Sequence, residues 1–279
     1  MTEPRSWLFV PADSERKITR ALDSEADAII FDLEDSVAPG LKSVARDVLK
    51  DLPARSGGPE WWVRVNPIGS EHHKDDLELI GLADIHGIVL PKAESGADVV
   101  QLAHRTGSIP IHAIVTETAA SLFNLLSYRD PKSPLAAMSW GAEDLSAALG
   151  ASSKYDESGE LSFTYKLSRS LCLAGAAAAG VQPVDGVFAD FRDENGLKRE
   201  AEAARRDGFT GKLAIHPAQV PVINAAFTPS ADDVSHAEEI VAAFEAHPNA
   251  GVLSVGGKMV DRPHLVQARR VLERAAREV

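Results

Sequence analysis

Eight short apolar segments, each followed by a polar stretch of helix length, set the strongest constraint on how this chain folds. They are SWLFVP from Ser6, DAIIFDLED from Asp27, WWVRVNP from Trp61, GIVLPK from Gly87, PIHAIVTE from Pro110, LAAMSWGAED from Leu135, PVDGVFAD from Pro183 and GKLAIHP from Gly211. Between them lie amphipathic stretches such as ERKITRALDSE and LKREAEAARRDG, with apolar residues near helical spacing. Strands that alternate with helices pair in parallel, because each crossover helix packs back on the sheet. Eight such units close a barrel, whereas an open doubly wound sheet usually has fewer. The first strand-to-helix turn, PADS, also lacks the GxGxxG pattern of a dinucleotide-binding sheet. The expected fold is an α/β protein, a (β/α)8 barrel of the TIM type.

Two stretches fall outside the repeat. ASSKYDESGELSF, residues 151–163, reads as an exposed excursion after the sixth strand. Beyond the eighth strand come a loop and helix, the strand-like GVLSVGGKMVD and a last helix from near Pro263. The expected division is a catalytic barrel over 1–228 and an extension over 229–279 that serves as a lid or subunit contact. A formal net charge of -12 argues against a nucleic-acid face, so an anionic ligand needs a local basic patch. The single cysteine, Cys172, cannot form an internal disulfide, and a reducing cytoplasm is the expected compartment. No apolar run approaches the roughly 20 residues that span a bilayer, so no membrane role is expected.

In such a barrel the C-terminal strand ends converge on the face where active sites are built. Those ends carry Pro11, the DLED run of Asp32 to Asp35, Arg64 with Asn66, Lys92, Glu117, Glu143 with Asp144, Asp190 and His216. Structural caps alone would not gather so many acids with Arg, Lys and His on one rim, which reads as a candidate active site. Carboxylates from several strands with no Cys partner form a hard oxygen site, suited to Mg2+ or Mn2+ rather than Zn2+. Glu117 and Asp144 end neighbouring strands and can share an ion that water and substrate complete. Asp32, Glu34 and Asp35 would hold waters or orient Arg64 and Lys92, and an arginine facing a metal polarises a carbonyl or grips a carboxylate. The set suits proton and carbon–carbon chemistry beside a carbonyl.

A plainer reading stands beside each of these. Asp144 reads equally as the N-cap of LSAALG, and Glu117 as an acid favoured by the dipole of a helix in TAASLFNLL. Arg64 and Lys92 read as ion-pair partners of DLED in a structural network, and His216 as a loop histidine. The EHHK run at 71–74 reads as a solvated helix start, and GGK at 256–258 lacks the P-loop pattern.

The segments WLFVPADSERK, DAIIFDLEDSVAP, VRVNP, VLPKAES, IVTETAASLFNL, WGAEDL, IHPAQV and GKMVDRPHLVQARRVL, in this order, resemble the HpcH/HpaI aldolase and citrate lyase beta-subunit superfamily. The likeness covers nearly the whole chain and is closest to stand-alone, CitE-like acyl-CoA lyases, since the simpler 2-keto-acid aldolases generally lack the C-terminal extension. It implies that Glu117 of ETAA and Asp144 of GAED bind Mg2+, and that Arg64 of VRVN contacts substrate oxygens. Gly141, Ala142 and Glu143 would line the substrate pocket beside Glu117, so that within the acidic pair Asp144 is the ligand. Glu34 counts with Arg64 as catalytic, while Asp32, Asp35, Lys92 and His216 support them. Arg16 and Arg20 match positions that meet CoA phosphates. Asp261 of GKMVDRP matches an acid/base that such lyases lend to the neighbouring subunit's site, which would make a homo-oligomer, commonly a trimer, obligatory. Where many members carry ETPR this chain has ETAA at 117–120, which leaves the acyl chain open.

The resemblance implies reversible cleavage of a 3-hydroxyacyl-CoA such as malyl-, citramalyl-, citryl- or 3-hydroxy-3-methylglutaryl-CoA into an acyl-CoA and a keto acid. Three rivals remain: a citrate lyase beta subunit acting on a carrier-bound thioester, a CoA-independent 2-keto-acid aldolase, and a non-catalytic scaffold.

Overall fold

The computed structural model of the chain describes residues 3–53, 57–81, 84–130 and 132–276. Eight parallel strands close into a barrel in sequence order: β1 (Ser6–Pro11), β2 (Ala28–Asp32), β3 (Glu60–Arg64), β4 (Gly87–Leu90), β5 (Ile111–Ile114), β6 (Leu135–Ser139), β7 (Gln182–Asp185) and β8 (Gly211–Ala214), with β8 returning to β1. Between and after them run α1 (Glu15–Leu22), α2 (Lys42–Lys50), the short α3 (His73–Asp76), α4 (Gly96–Thr106), α5 (Ala142–Leu149), α6 (Phe163–Ala179), α7 (Glu194–Asp207) and α8 (Val220–Phe227). The expected (β/α)8 architecture and all eight strands are therefore present. Among the described residues no helix is long and apolar enough to cross a membrane.

The barrel interior is a packed layer of Trp7, Ala28, Ile30, Trp62, Val89, Ile114, Ala137, Val184 and Leu213. Its two largest rings, Trp7 and Trp62, meet edge-on at 4.9 Å. A Cβ on Gly87 would fall 2.2 Å from the Trp62 ring, so this strand start has to be glycine. His112 also points inward, edge-on to Trp7 at 4.7 Å. Complete burial pushes its imidazole down to about 3, so it stays neutral and behaves as an aromatic core residue.

Outside the strands, between β7, β8 and the helices that cover them, lies a buried ion cluster that the sequence did not announce. The fully buried Lys212 donates to Asp185 Oδ2 at 3.0 Å, Gly186 O at 2.7 Å and Glu200 Oε1 at 2.7 Å. Asp185 Oδ1 also receives Arg169 Nε and Trp140 Nε1, each at 2.8 Å. Burial alone would raise the Asp185 carboxyl, but Lys212 and Arg169 outweigh it and hold it down to about 2.

Four sequence expectations need correction. The strand read through PVDGVFAD stops at Asp185, where Gly186 sits so close to Trp140 that a Cβ would lie 2.9 Å from its Nε1. Asp190 is therefore not a strand end but an exposed turn residue accepting from Arg192 N. The described residues after Glu117 form two 3-10 turns, Ser121–Phe123 and Leu125–Tyr128, not an α-helix, so Glu117 has no helix dipole to serve. Ser121 and Thr118 bond to each other's backbone (Ser121 Oγ to Thr118 O 2.6 Å, Ser121 N to Thr118 Oγ1 3.2 Å), which competes with helical bonding. The N-cap of α5 is Gly141, and Asp144 lies in its first turn without capping it. In EHHK, His73 is buried, with Nδ1 2.7 Å from Asn66 O.

By contact density the chain divides into Glu3–Asn224 and a second unit from Ala225 onward. That second unit has its own core, in which Ala237, Ile240 and Phe244 of α9 (Ala231–Ala246) meet Leu265 and Ala268 of α10 (Arg262–Ala275) and Val255 and Val260 of a hairpin. The hairpin pairs β9 (Val252–Val255) with β10 (Lys258–Asp261) in antiparallel register. The GGK stretch is its turn: Gly256 and Gly257 both take positive φ, 56° and 77°, the backbone that a two-residue hairpin turn requires.

Candidate active site

The barrel mouth is organised by the last residues of β2 and β3, which the register places side by side as Asp32 and Arg64. The pair is bidentate, with Arg64 Nε 2.7 Å from Asp32 Oδ1 and Nη2 2.6 Å from Oδ2. Arg64 also lies over the Phe9 ring at 4.8 Å, and its Nη1 is 2.8 Å from Glu34 Oε2. Asp32 further accepts from the Glu34 and Ser36 N–H groups, which fixes the DLED turn. Burial would raise its carboxyl, but the Arg64 charge and hydrogen bonds hold it below the ordinary range. Glu34 is shifted the other way, because burial outweighs Arg64 and Lys92.

The turn is anchored from behind by Asn66 of VRVNP together with Lys42, Arg46 and Asp76, which no motif marked. Buried Lys42, at the start of α2, donates to Leu33 O and Glu34 O, each at 2.8 Å. Asn66 Nδ2 donates to Leu33 O at 2.9 Å and to Asp76 Oδ2 at 2.7 Å, while Arg46 Nη1 holds Asp76 Oδ1 at 2.9 Å. A lysine at a helix start and an acid in a polar run look solvated in sequence, so only the fold reveals them.

Glu117 follows β5 and is 4% exposed. Its Oε2 accepts the Lys92 N–H at 2.5 Å. Its Cγ packs so closely on Gly141 that a Cβ there would lie 2.7 Å away. Burial pushes the Glu117 carboxyl up to about 8, against the Lys92 N–H bond and with further upward pressure from Asp144 and Glu34. Lys92 joins the parts: its ammonium contacts Glu34, lies 3.1 Å from Asp35 Oδ2 and 3.3 Å from Asp144 Oδ1. The structure thus gathers Asp32, Glu34, Asp35, Arg64, Lys92, Glu117, Gly141 and Asp144 into one cluster.

Five carboxylates there (Asp32, Glu34, Asp35, Glu117, Asp144) face two cations (Arg64, Lys92), an excess of three negative charges when all are ionised. Arg64 and Lys92 are both shifted upward, so neither is the one to give up its charge. The Glu117 carboxyl is raised first by burial and then by its acidic neighbours, and a hard divalent cation would relieve both. Among the described residues no three His, Cys, Asp or Glu side chains form a metal-ligand set. Hard carboxylate oxygens of this kind suit a divalent cation such as Mg2+, with water and substrate oxygens completing its shell.

The remaining expected residues have other partners. Glu143 is 63% exposed and pairs with Lys154 of the 151–163 excursion, while Ala142 opens α5. His216 caps the turn after β8 through Ala218 N at 3.1 Å and stacks on Phe191 at 4.6 Å. Arg16 and Arg20 occupy the exposed side of α1, one turn apart. Asp261, in the second unit, opens α10 with His264 Nδ1 2.5 Å from its Oδ1, and that hydrogen bond holds its carboxyl below the ordinary range.

The family described as HpcH/HpaI aldolase/citrate lyase matches residues 5–217. The (3S)-malyl-CoA thioesterase of Cereibacter sphaeroides is 38% identical over 276 residues, covering 97% of this chain and 94% of that protein. The mitochondrial citramalyl-CoA lyase of Rattus norvegicus is 32% identical over 293 residues, with coverage of 96% and 85%. Among solved structures, the protein CitE from Mycobacterium tuberculosis in complex with magnesium, acetoacetate and coenzyme A aligns with a TM-score of 0.85 at 36% identity, covering 99% of this chain and 98% of that one.

Proposed function

The chain belongs to the HpcH/HpaI aldolase/citrate lyase family, and from that premise we propose that it is a Mg2+-dependent carbon–carbon lyase acting on a 3-hydroxyacyl-CoA. The observation that carries this reading is Glu117: a nearly buried carboxyl pushed up to about 8, beside Asp144, in a cluster with more acids than cations. The likeness to a citramalyl-CoA lyase and to a protein bound to magnesium, acetoacetate and coenzyme A supports both the metal and the thioester.

Glu117 and Asp144 would hold Mg2+, which when bound supplies Lewis-acid polarisation of the substrate oxygens. Arg64 is fixed by two hydrogen bonds to Asp32 and an ion pair with Glu34, and its remaining N–H donors would serve the substrate. They stabilise the charge on the oxygen that becomes the keto-acid carbonyl. Asp261 is the acid/base, contributed by a neighbouring copy in a homo-oligomer, with a trimer as the proposed state. Ionised at neutral pH, it takes the proton of the substrate hydroxyl as the carbon–carbon bond breaks. The electron pair of that bond passes to the acyl-CoA enolate, whose carbon then receives the proton. Arg16 and Arg20 receive the CoA phosphates, which gives this acidic protein its local basic contact. A cytoplasmic location fits the single, buried cysteine.

The test is mass spectrometry of products from malyl-, citramalyl-, citryl- and 3-hydroxy-3-methylglutaryl-CoA, with Mg2+ and with EDTA. Mg2+-dependent acyl-CoA together with a keto acid from one substrate is the expected result. Thioester hydrolysis is a second reading, favoured by the 38% identical malyl-CoA thioesterase. It would yield free CoA and a hydroxy acid with no keto acid. Silence across the panel from folded protein would sink both and shift the reading to a carrier-bound thioester or a CoA-independent aldolase.

A further inference from the structure

Among the described residues, Lys92 is the only non-glycine residue with positive φ, at 52°. L residues resist that region because Cβ crowds the following carbonyl oxygen, so a residue held there serves something nearby. The turn sets Lys92 against the acid cluster in two ways. Its N–H meets Glu117 Oε2 at 2.5 Å, and its ammonium contacts Glu34 and lies 3.3 Å from Asp144 Oδ1. One residue thus reaches both proposed metal ligands, Glu117 through the backbone and Asp144 through its charge.

We propose that the Lys92 ammonium is the site's own counter-ion and competes with the divalent cation for Asp144. The inference rests on the reading of Glu117 and Asp144 as the metal ligands. A monovalent and a divalent cation that share one carboxylate repel each other strongly in a partly buried site. Arg64 cannot take over, because Asp32 and Glu34 already hold it. Glu34 and Asp35 give the ammonium partners to keep when it cedes Asp144. The consequence is a site with modest affinity for the cation alone. A substrate carboxylate that draws the ammonium away tightens cation binding, and by linkage the cation tightens substrate binding to the same degree.

The experiment is Mn2+ binding to the full-length, substrate-free protein, followed by electron paramagnetic resonance, for wild type, Lys92→Met, Lys92→Gly, Lys92→Arg and Glu117→Gln. Lys92→Gly accepts positive φ and keeps the N–H on Glu117, so it removes the charge with the turn intact and decides the matter even where Lys92→Met folds poorly. The expected result is Mn2+ binding about tenfold or more tighter in the neutral variants. Lys92→Arg should restore the wild-type affinity, and Glu117→Gln should abolish binding. Unchanged or weaker binding in Lys92→Gly, with binding still lost in Glu117→Gln, would overturn the competition and leave the metal site standing. Mn2+ binding that persists in Glu117→Gln would instead overturn the ligand reading beneath it.

Discussion

Asp185 and Glu117 are both buried carboxylates of one barrel, yet their proton affinities move in opposite directions. Asp185, on the helix side of β7, touches Lys212 and Arg169 and is held down to about 2. Glu117, at the mouth, accepts a backbone N–H from Lys92 and is pushed up to about 8, with Asp144 and Glu34 adding to the rise. Burial is common to both, so the difference comes from the positive charge in direct contact. A carboxylate closed on two cations belongs to the scaffold. A buried carboxylate among other acids, as Glu117 is, suits the divalent-cation site proposed above.

The largest effect is expected from opening the closed cluster. Lys212→Met removes the ammonium that serves Asp185, Gly186 O and Glu200, and should destabilise the fold by about 3–5 kcal/mol in denaturant unfolding. A loss under about 1 kcal/mol would mean that Arg169 and Trp140 suffice for Asp185.

The two clusters also differ in how legible they were. The strands stood out because parallel strands wrapped by helices read as apolar runs. The mouth cluster could be read because its members end those strands: once the barrel is recognised, DLED, VRVN, the lysine of LPK, the glutamate of ETAA and GAED fall on one rim. The closed cluster could not, because Asp185, Lys212, Arg169 and Glu200 come from two strands and two helices, and their shared space exists only after packing. Asp190 was mistaken for a rim residue because VFAD continues the apolar pattern past the true end of β7. TAASLFNLL carries helical spacing, but its serine and threonine bond locally and turn the chain early.

A smaller change should sharpen the comparison from the open side. Gly141→Ala places a Cβ 2.7 Å from Glu117 Cγ, so the carboxylate has to move. The expected cost is about 1–3 kcal/mol of stability, with a clear loss of Mg2+ affinity by titration calorimetry. Unchanged affinity would show that the position of Glu117 does not matter to the ion.

The effects most diagnostic in sign come from pH. The folded chain retains a proton on Glu117 that the unfolded chain releases from near 4.5, so without Mg2+ stability falls as pH rises toward about 8. At Asp185 the unfolded chain binds a proton from near 3.8 that the folded chain refuses until about 2, so stability falls as pH drops through that window. Denaturant midpoints across a pH series should show the alkaline slope flatten with Mg2+ and the acid limb stay unchanged. An alkaline slope indifferent to Mg2+ would separate Glu117 from the ion.

The central claim is tested most directly by thermal unfolding near pH 8 of wild type, Glu117→Gln and Asp185→Asn, each with and without Mg2+. The account predicts that Asp185→Asn lowers Tm in both conditions and keeps the Mg2+ increment. Glu117→Gln should raise the Mg2+-free Tm, because it removes unmet negative charge, and should lose the increment. A Glu117→Gln protein that melts lower without Mg2+, or that still gains Tm on adding it, would contradict the distinction between the two clusters.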